Sequence, residues 1–379
     1  VTEVKKLKPG WKIWRFDQIA TNVNVRIDKP SESGMEHYVG LEHLDPDSLR
    51  IRRWGSPDDV EATKLVFKKG DIIFGRRRAY QRKLGVAEFD GICSAHAMVL
   101  RAKPEVVLPE FLPFFMQSDL FMSRAVEISV GSLSPTINWK TLATQEFALP
   151  SLHEQRILAK SFLAIEDSLS NFADAHTVAT NLFRAMHGDL YAKALNSTTG
   201  TKLSQIFDSI SDKGFTDIPI LSVTIDGNVV RRDSLERHVS DETGEEKYIR
   251  VLPNDLVYNT MRLWQGAIGI VGEEGLISPA YTVLRLKDRT DTPEYWWHLF
   301  RSPSIINEYR RFVKGVAKDR WRIYFKDLQH LCVSVPSPEV RKRSSEQLET
   351  IRSASKKISE RRDALFALRS RMIECGLGG

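Results

Sequence analysis

Between Ser151 and Leu195 the apolar positions fall into two columns. Phe162, Leu169, His176, Phe183 and Leu190 form one, and Leu158, Ile165, Phe172, Ala179 and Met186 the other. Each column repeats every seven residues with four- and three-residue steps between them, the seam of a coiled coil. No proline follows Pro150 in this segment, and Gly188 is its only glycine. About forty residues at ~1.5 Å each predict a rod on the order of 60 Å long, whose seam needs a partner. A second rod is predicted from Pro338 to Cys375. There Ile351, Ile358, Leu365 and Met372 form a clean column, and the adjoining one mixes Leu348 and Ala354 with Ser355, Arg362 and Arg369. The expected arrangement is an antiparallel pair made by the two rods of one chain, with pairing to another chain as the alternative. His176 reads as a seam histidine that fixes register.

The pattern outside the rods is repeated. An offset of 184 aligns Asp71 with Asp255, Gly85 with Gly269, Ser94 with Ser278, Val99-Leu100-Arg101 with Val283-Leu284-Arg285, and Pro109 with Pro293. Two further residues shift the offset to 186, which aligns Leu142 with Leu328 and Pro150-Ser151 with Pro336-Ser337. At the start, Gln18-Ile19 matches Gln205-Ile206 at an offset of 187. Each half is therefore a globular unit followed by a rod. The expected segments are residues 1–150, 151–196, 197–336 and 337–379, with Asn196 to Gly200 as the linker. Short strands are predicted at Tyr38–Leu41, Asp71–Phe74, Leu84–Ala87 and Ala97–Arg101, and at Ile220–Val223, Asp255–Tyr258, Ala267–Val271 and Tyr281–Leu286. Helices are predicted at Pro109–Gln117, Leu120–Ile128, Pro293–Phe300 and Ile305–Val313, with Pro109 and Pro293 in the first turn. The fold class is α+β: two similar α/β domains separated by two long helices, with an internal pseudo-two-fold repeat.

Composition narrows the class. The chain of 379 residues is 42% hydrophobic and has no apolar run of about eighteen residues, so no membrane span is expected. The opening VTEVKKLKPGW lacks the apolar core of a signal peptide. Cys93, Cys332 and Cys375 are odd in number and far apart, which points to reduced thiols and a cytoplasmic setting. A net charge of +6 leans towards a polyanionic partner.

Catalytic patterns fail on inspection. Ser278-Pro279-Ala280-Tyr281 approaches an amino-methyltransferase loop but has the wrong middle residue, and no glycine-rich strand–turn–helix precedes it. Pro57-Asp58 with Glu61 and Lys64 is too tightly spaced for a nuclease motif. There is no Gly-Lys-Ser/Thr phosphate loop, and the nine histidines do not cluster with cysteines at metal-ligand spacing.

Four stretches carry a resemblance: PGWKIWRFDQI near the start, YVGLEHLDP at Tyr38–Pro46, LPSLHEQR at Leu149–Arg156, and WQGAIGIVGEEGLISPAYTVLR at Trp264–Arg285. With the duplication and the two rods, the chain resembles the specificity (S) subunit of type I restriction-modification systems, the HsdS family. The second rod entry, VPSPEVRK at Val335–Lys342, lacks the counterpart of Glu154 and Gln155. The resemblance implies a non-catalytic DNA-reading subunit with two target-recognition domains, each reading half of a bipartite, asymmetric site on double-stranded DNA. It implies two methyltransferase (M) subunits as partners and optional restriction (R) subunits, with rods that set the spacing. S-adenosylmethionine, ATP and Mg are then expected on the partners, which would methylate adenine and cleave DNA, and no cofactor or metal is expected on this chain. The rivals are the recognition subunit of a type II-like assembly, a stand-alone methyltransferase, and a coiled-coil adaptor.

Candidate DNA contacts follow from charge and side-chain type. Arg76, Arg77, Arg78, Arg82 and Lys83 surround Tyr80 and Gln81. Arginine grips guanine or phosphate with two parallel bonds, and glutamine reads adenine in the same way. Arg262, Trp264 and Gln265 occupy the corresponding stretch of the second half. Lys314, Lys318, Arg320 and Arg322 form a second basic stretch, with Ser132, Ser134 and Asn138 as its neutral counterpart in the first half. Arg231 and Arg232, with Arg237, are a third cluster.

Overall fold

The computed structural model describes residues 7–192, 194–195, 200–235, 245–313 and 321–377. Among the expected features, Asn196 to Thr199 of the linker and Arg237, Lys314, Lys318 and Arg320 lie outside the described residues. The chain forms two compact units, Val1–Ala173 with Glu360–Gly379, and Asp174–Ser359. Each unit thus holds one globular segment and parts of both long helices.

Both helices form as their patterns predict. The central one runs Leu152–Ala192 and the closing one Pro338–Leu377. Pro150 cannot continue a helix backwards, and the Ser151 hydroxyl accepts from Glu154 N at 3.3 Å. Within the first unit the helices run antiparallel: Leu158 and Phe162 lie against Gly376, and Glu166 pairs with Arg369 at 2.6 Å. Within the second unit, Leu348 of the closing helix enters the same core as Phe183 and Met186 of the central one.

The central seam drifts at its end. Leu190 is exposed, and His187 and Tyr191 turn inward instead. A straight helix advances 3.6 residues per turn, so a strict seven-residue column rotates by ~20° each heptad. The drift is fixed by Tyr191, whose hydroxyl donates to Tyr295 O at 3.1 Å, and by His187 Nε2, 2.9 Å from His298 O. Arg369, one of the polar members of the closing helix's mixed column, is buried as a clamp: it donates to Asp47 O and Gln117 Oε1 besides Glu166. Burial lowers the Arg369 pKa and raises that of Glu166, each opposed by its partner's charge.

The globular segments are three layers deep. In the first unit an antiparallel sheet runs Ala20–Val23, Met98–Ala102, Ile72–Phe74, Leu84–Val86. Alternation divides its side chains. Ile72, Phe74, Met98 and Leu100 face the helices, with Phe111, Phe115 and Phe121, while Ile73 and Val99 face a second sheet with Val39, Phe67 and Cys93. Full burial of such side chains contributes about 1.5–3 kcal/mol each. The second sheet runs Arg26–Ile27, Lys64–Phe67, Gly91–Ser94, Tyr38–Val39, its last join parallel.

The second unit repeats this plan. Its first sheet runs Phe207–Ile210, Tyr281–Leu286, Leu256–Asn259, Ile268–Ile270. Its second runs Val229–Arg231, Ile220–Val223, Gly275–Ile277, Ile249–Val251, with the Ile220 and Gly275 strands parallel. The aligned Asp71 and Asp255 have one job: each is buried and takes two bonds from the next aligned residue, Arg101 or Arg285, at 2.6–2.9 Å.

Two expectations need correction. Pro109 precedes its helix, which runs Leu112–Gln117, because the Leu108 carbonyl already accepts from Phe111 N and Leu112 N in a turn. Pro293 does open its helix, Pro293–Phe300. The short strands Lys12–Arg15 and Glu146–Leu149, and Thr201–Lys202 and Cys332–Val333, were not foreseen; each pair joins the start of a globular segment to its end. The cysteines are free, and burial pushes the Cys93 thiol up to about 12. Among the described residues no helix is long and apolar enough to cross a membrane.

Candidate nucleic-acid interface

In the first unit the structure brings two of the expected stretches together. Arg77 bridges to Thr136, Ile137 N donates to Arg76 O at 3.0 Å, and Arg78 N donates to Pro135 O at 2.7 Å. The turn after Ile72–Phe74 is therefore laced to the loop that carries Ser132, Ser134 and Asn138. Arg78 has a left-handed backbone (φ 58°), is exposed, and donates from Nε to Ser134 Oγ at 3.3 Å. Tyr80 is 54% exposed, and Leu133 at the loop tip is 91% exposed. Ser132 and Asn138 are exposed, and Gln81 is half-buried.

Arg82 and Lys83 are placed differently from their neighbours. Arg82 donates to Asp47 at 2.6 Å, to Asp119 at 2.7 Å and to the Gln117 carbonyl. Lys83 Nζ donates to Leu41 O at 2.8 Å. Both cations are bonded within the fold, so the five charges do not form an even exposed row.

Behind the laced loops lies a cleft with polar and apolar walls. Arg76 reaches into it and donates from Nη2 to Ala95 O at 3.1 Å, while its buried Nε has no hydrogen-bond partner. Asn22, Asn24, Arg26, Thr63 and His96 line the same cleft. Arg77 Nη1 lies 3.5 Å from His96 Nε2. Burial, then the charges of Arg77, Arg76 and Lys64, lower the His96 pKa, so the imidazole is neutral near pH 7. Sequence reasoning missed these five cleft residues. Part of the signal was present: in Asn22-Val23-Asn24-Val25-Arg26-Ile27 the polar side chains alternate with apolar ones, which sends two amides and a guanidinium to one face.

The second unit keeps the lacing and changes the side chains. Ile323 N donates to Thr260 O at 2.9 Å, as Ile137 N does to Arg76 O. Arg262 is exposed and donates to Gln265 at 3.3 Å. Trp264 donates to Met261 O at 3.0 Å and meets Trp321 edge-on at 5.4 Å, so its ring is largely a packing element. Arg322 is exposed. Arg231 forms a two-pronged exposed pair with Glu273 at 2.5 and 2.8 Å. Arg232 donates to the Tyr248 hydroxyl at 3.0 Å and covers that ring at 5.4 Å. The structure does not merge this pair with the turn that holds Arg262: Arg231 and Arg232 belong to the outer edge of the second sheet.

Exposed arginines, amides and hydroxyls on rigid turns suit the phosphates and base edges of a duplex. The chain is also similar to known proteins. Residues 59–172 match the family model for the type I restriction modification DNA specificity domain. The type I restriction enzyme EcoDI specificity subunit of Escherichia coli is 26% identical over 209 residues, which cover 50% of this chain and 45% of that protein. The chain thus matches about half the length of this curated relative. A type I restriction-modification system S subunit from M. genitalium superposes over 98% of both chains, with a TM-score of 0.62 and 13% identity. A chain from a study of complex assembly and conformational transition of the type I R-M system covers 98% of both, with a TM-score of 0.57 and 18% identity. At these identities the two structures speak for the fold.

Proposed function

We propose that this chain, whose residues 59–172 match the model for the type I restriction modification DNA specificity domain, is the DNA-reading subunit of a type I restriction-modification complex. Its two units read the two halves of a bipartite, asymmetric site. Partner subunits, two methyltransferase and optionally restriction subunits, supply adenine methylation and ATP-dependent cleavage, and hold S-adenosylmethionine, ATP and Mg. The observation that carries the reading is the pairing of one repeated frame with two different sets of turn residues, Arg76 to Gln81 against Thr260 to Gln265. Equal frames fit equal approaches to a duplex; unequal side chains fit unequal sequences. Two readers on one duplex need a near-fixed separation, at ~34 Å per turn, and helices of 41 and 40 residues are stiff enough to define one.

The test is methylome sequencing of a host that expresses this chain with methyltransferase partners. The expected outcome is one methylated motif with two unlike halves and a fixed gap. Methylation by this chain alone, or a continuous motif with no gap, would count against the reading.

A further inference from the structure

The two units differ in the residues at the cleft that Arg76 lines. Three positions can be equated through the backbone. Asn22 pairs with Leu100 and Ser209 with Leu284 in the same register. Arg76 and Thr260 accept from Ile137 N and Ile323 N. His96 and Ala280 sit just before residues whose amides close equivalent turns, Ala97 N onto Ser94 O and Tyr281 N onto Ser278 O. An amide, a guanidinium and an imidazole in the first unit thus become two hydroxyls and a methyl group in the second. The Thr260 hydroxyl is already used, donating to Ala280 O at 3.1 Å.

Arg76 has spare capacity instead. Its Nη2 is anchored on Ala95 O, which fixes the plane of the guanidinium, and its buried Nε–H has no partner. A buried donor without an acceptor is costly, about 1–3 kcal/mol, and such groups call for an explanation. No carboxylate lines the cleft to take it, and beside its polar groups the wall is apolar, with Leu65, Met98 and Trp139. Asn24, Arg26 and His96 are exposed, so the cleft opens to solvent at that rim. Arg76 lines that cleft with a guanidinium held by Ala95, and among base edges one partner suits its N–H donors. Guanine presents two adjacent acceptors, O6 and N7, in the major groove, whereas adenine presents a donor beside its acceptor.

We propose that Arg76 is a specificity-determining residue of the first unit and reads a guanine in its half-site, a role that the second unit lacks at Thr260. The proposal rests on the DNA-reading function above and adds the base and the residue that selects it. Asn22 and His96 flank the arginine and set which neighbouring base edge fits beside the guanine.

The experiment uses the assembled complex with its methyltransferase partners and a duplex carrying the methylated motif. Each guanine of the motif is replaced in turn by 7-deazaguanine, which lacks the N7 acceptor. Wild-type affinity is expected to fall roughly 10-fold at one guanine of one half-site, as for loss of a two-bond arginine contact. Arg76→Ala should bind the normal motif about as weakly and lose nothing further on that replacement. Arg76→Gln should shift the methylome at that one position from guanine towards adenine, because a glutamine amide matches adenine's donor–acceptor pair. The other half of the motif should stay unchanged in both variants. Full 7-deazaguanine sensitivity in Arg76→Ala, or an unaltered motif in Arg76→Gln, overturns the proposal and leaves Arg76 as a brace for Ala95. Should Arg76→Ala fail to assemble, the Arg76→Gln methylome decides alone, since any methylation it supports reports its base preference. A wild-type complex that methylates no bipartite site would instead overturn the parent reading.

Discussion

The two units make the same link from opposite ends. In the first, Arg82 closes the turn after Ile72–Phe74 and donates to the Gln117 carbonyl at the end of the next helix. In the second, the equivalent turn ends on Gly266, and Arg301, at the position of Gln117, donates back to Gly266 O at 2.5 Å. The arginine has changed sides while the link remains. Its cost differs. Gly266 takes a left-handed backbone (φ 84°) without a Cβ to clash, but Arg82 is held at φ 53° by Asp47, Asp119 and Gln117. A cation within a basic run can therefore be a brace, and its neighbours in sequence say nothing of that.

The same contrast appears where each long helix begins, and mutations there should separate the units most. In the first unit Gln155 is buried, accepts from Leu108 N, and donates to Val106 O and Pro150 O at 2.9–3.0 Å. In the second, Arg341 stands at the aligned position and pairs with buried Asp291 at 2.8 Å. This is the physical content of the missing Glu-Gln pair: a neutral tether is replaced by an ionic one. Arg341→Ala strands a buried carboxylate and should cost about 3–5 kcal/mol. Gln155→Ala strands neutral groups and should cost about 1–3 kcal/mol. Hydrogen exchange on each variant should localise the loss to one unit; equal losses, or losses in both units at once, would erase the distinction.

A pH titration should sharpen it next. Where the first unit packs Phe114 and Ile373, the second has His298 and His187 at the corresponding offsets. Burial lowers His187 to about 4, with the charges of His298 and Arg301 helping and the bond to the His298 carbonyl opposing. The neutral form belongs to the fold, and the unfolded chain takes up the proton first. The contribution is therefore complete above pH 6.5 and is lost as pH falls from 6.5 towards 4, roughly 3 kcal/mol in all. The carboxylate of Glu349, held low chiefly by the His298 ring 3.2 Å away, adds acid sensitivity in the same direction at lower pH. The second unit should melt first on acidification, and His187→Leu should flatten its pH dependence between 6.5 and 4 without changing that of the first unit.

Much of this frame was legible in the chain. Seven-residue columns located both long helices, and a fixed offset paired Asp71 with Asp255 and Arg101 with Arg285 before their ion pairs were known. Short apolar runs marked the buried strands around Ile73 and Val257. It did not find the two-residue strand Arg26–Ile27 or the closing pair Lys12–Arg15 with Glu146–Leu149, because such short pieces are defined by partners more than a hundred residues away or by a sheet edge. The candidate interface was legible only as charge. Which arginine is spent on a carboxylate and which is left facing a cleft depends on Asp47, Asp119 and Ala95, none of them near Arg76 or Arg82 in an obvious pattern. His96 and Asn22 reach the cleft only once two sheets have packed.

The smallest effects should separate brace from reader within one turn. Arg78 and Arg82 both sit in left-handed backbone, at φ 58° and 53°. Glycine relieves each by about 1 kcal/mol. At Arg82 that gain is outweighed, because the side chain's bonds to two carboxylates and a carbonyl vanish, and Arg82→Gly should lose a net ~1–2 kcal/mol. At Arg78 the lost contact is one exposed bond to Ser134, so Arg78→Gly should leave stability within about 1 kcal/mol of the parent or slightly raise it. On the DNA-reading function proposed above, its effect falls on DNA binding instead. A cation over phosphate contributes about one unit to the slope of log affinity against log salt, so the assembled Arg78→Gly complex should bind more weakly with that slope reduced by ~1, on specific and unrelated duplexes alike. Thermal melts paired with a salt series would decide it: an unchanged salt slope in Arg78→Gly would make both left-handed arginines parts of the fold, and the first unit would then meet DNA elsewhere than at this turn.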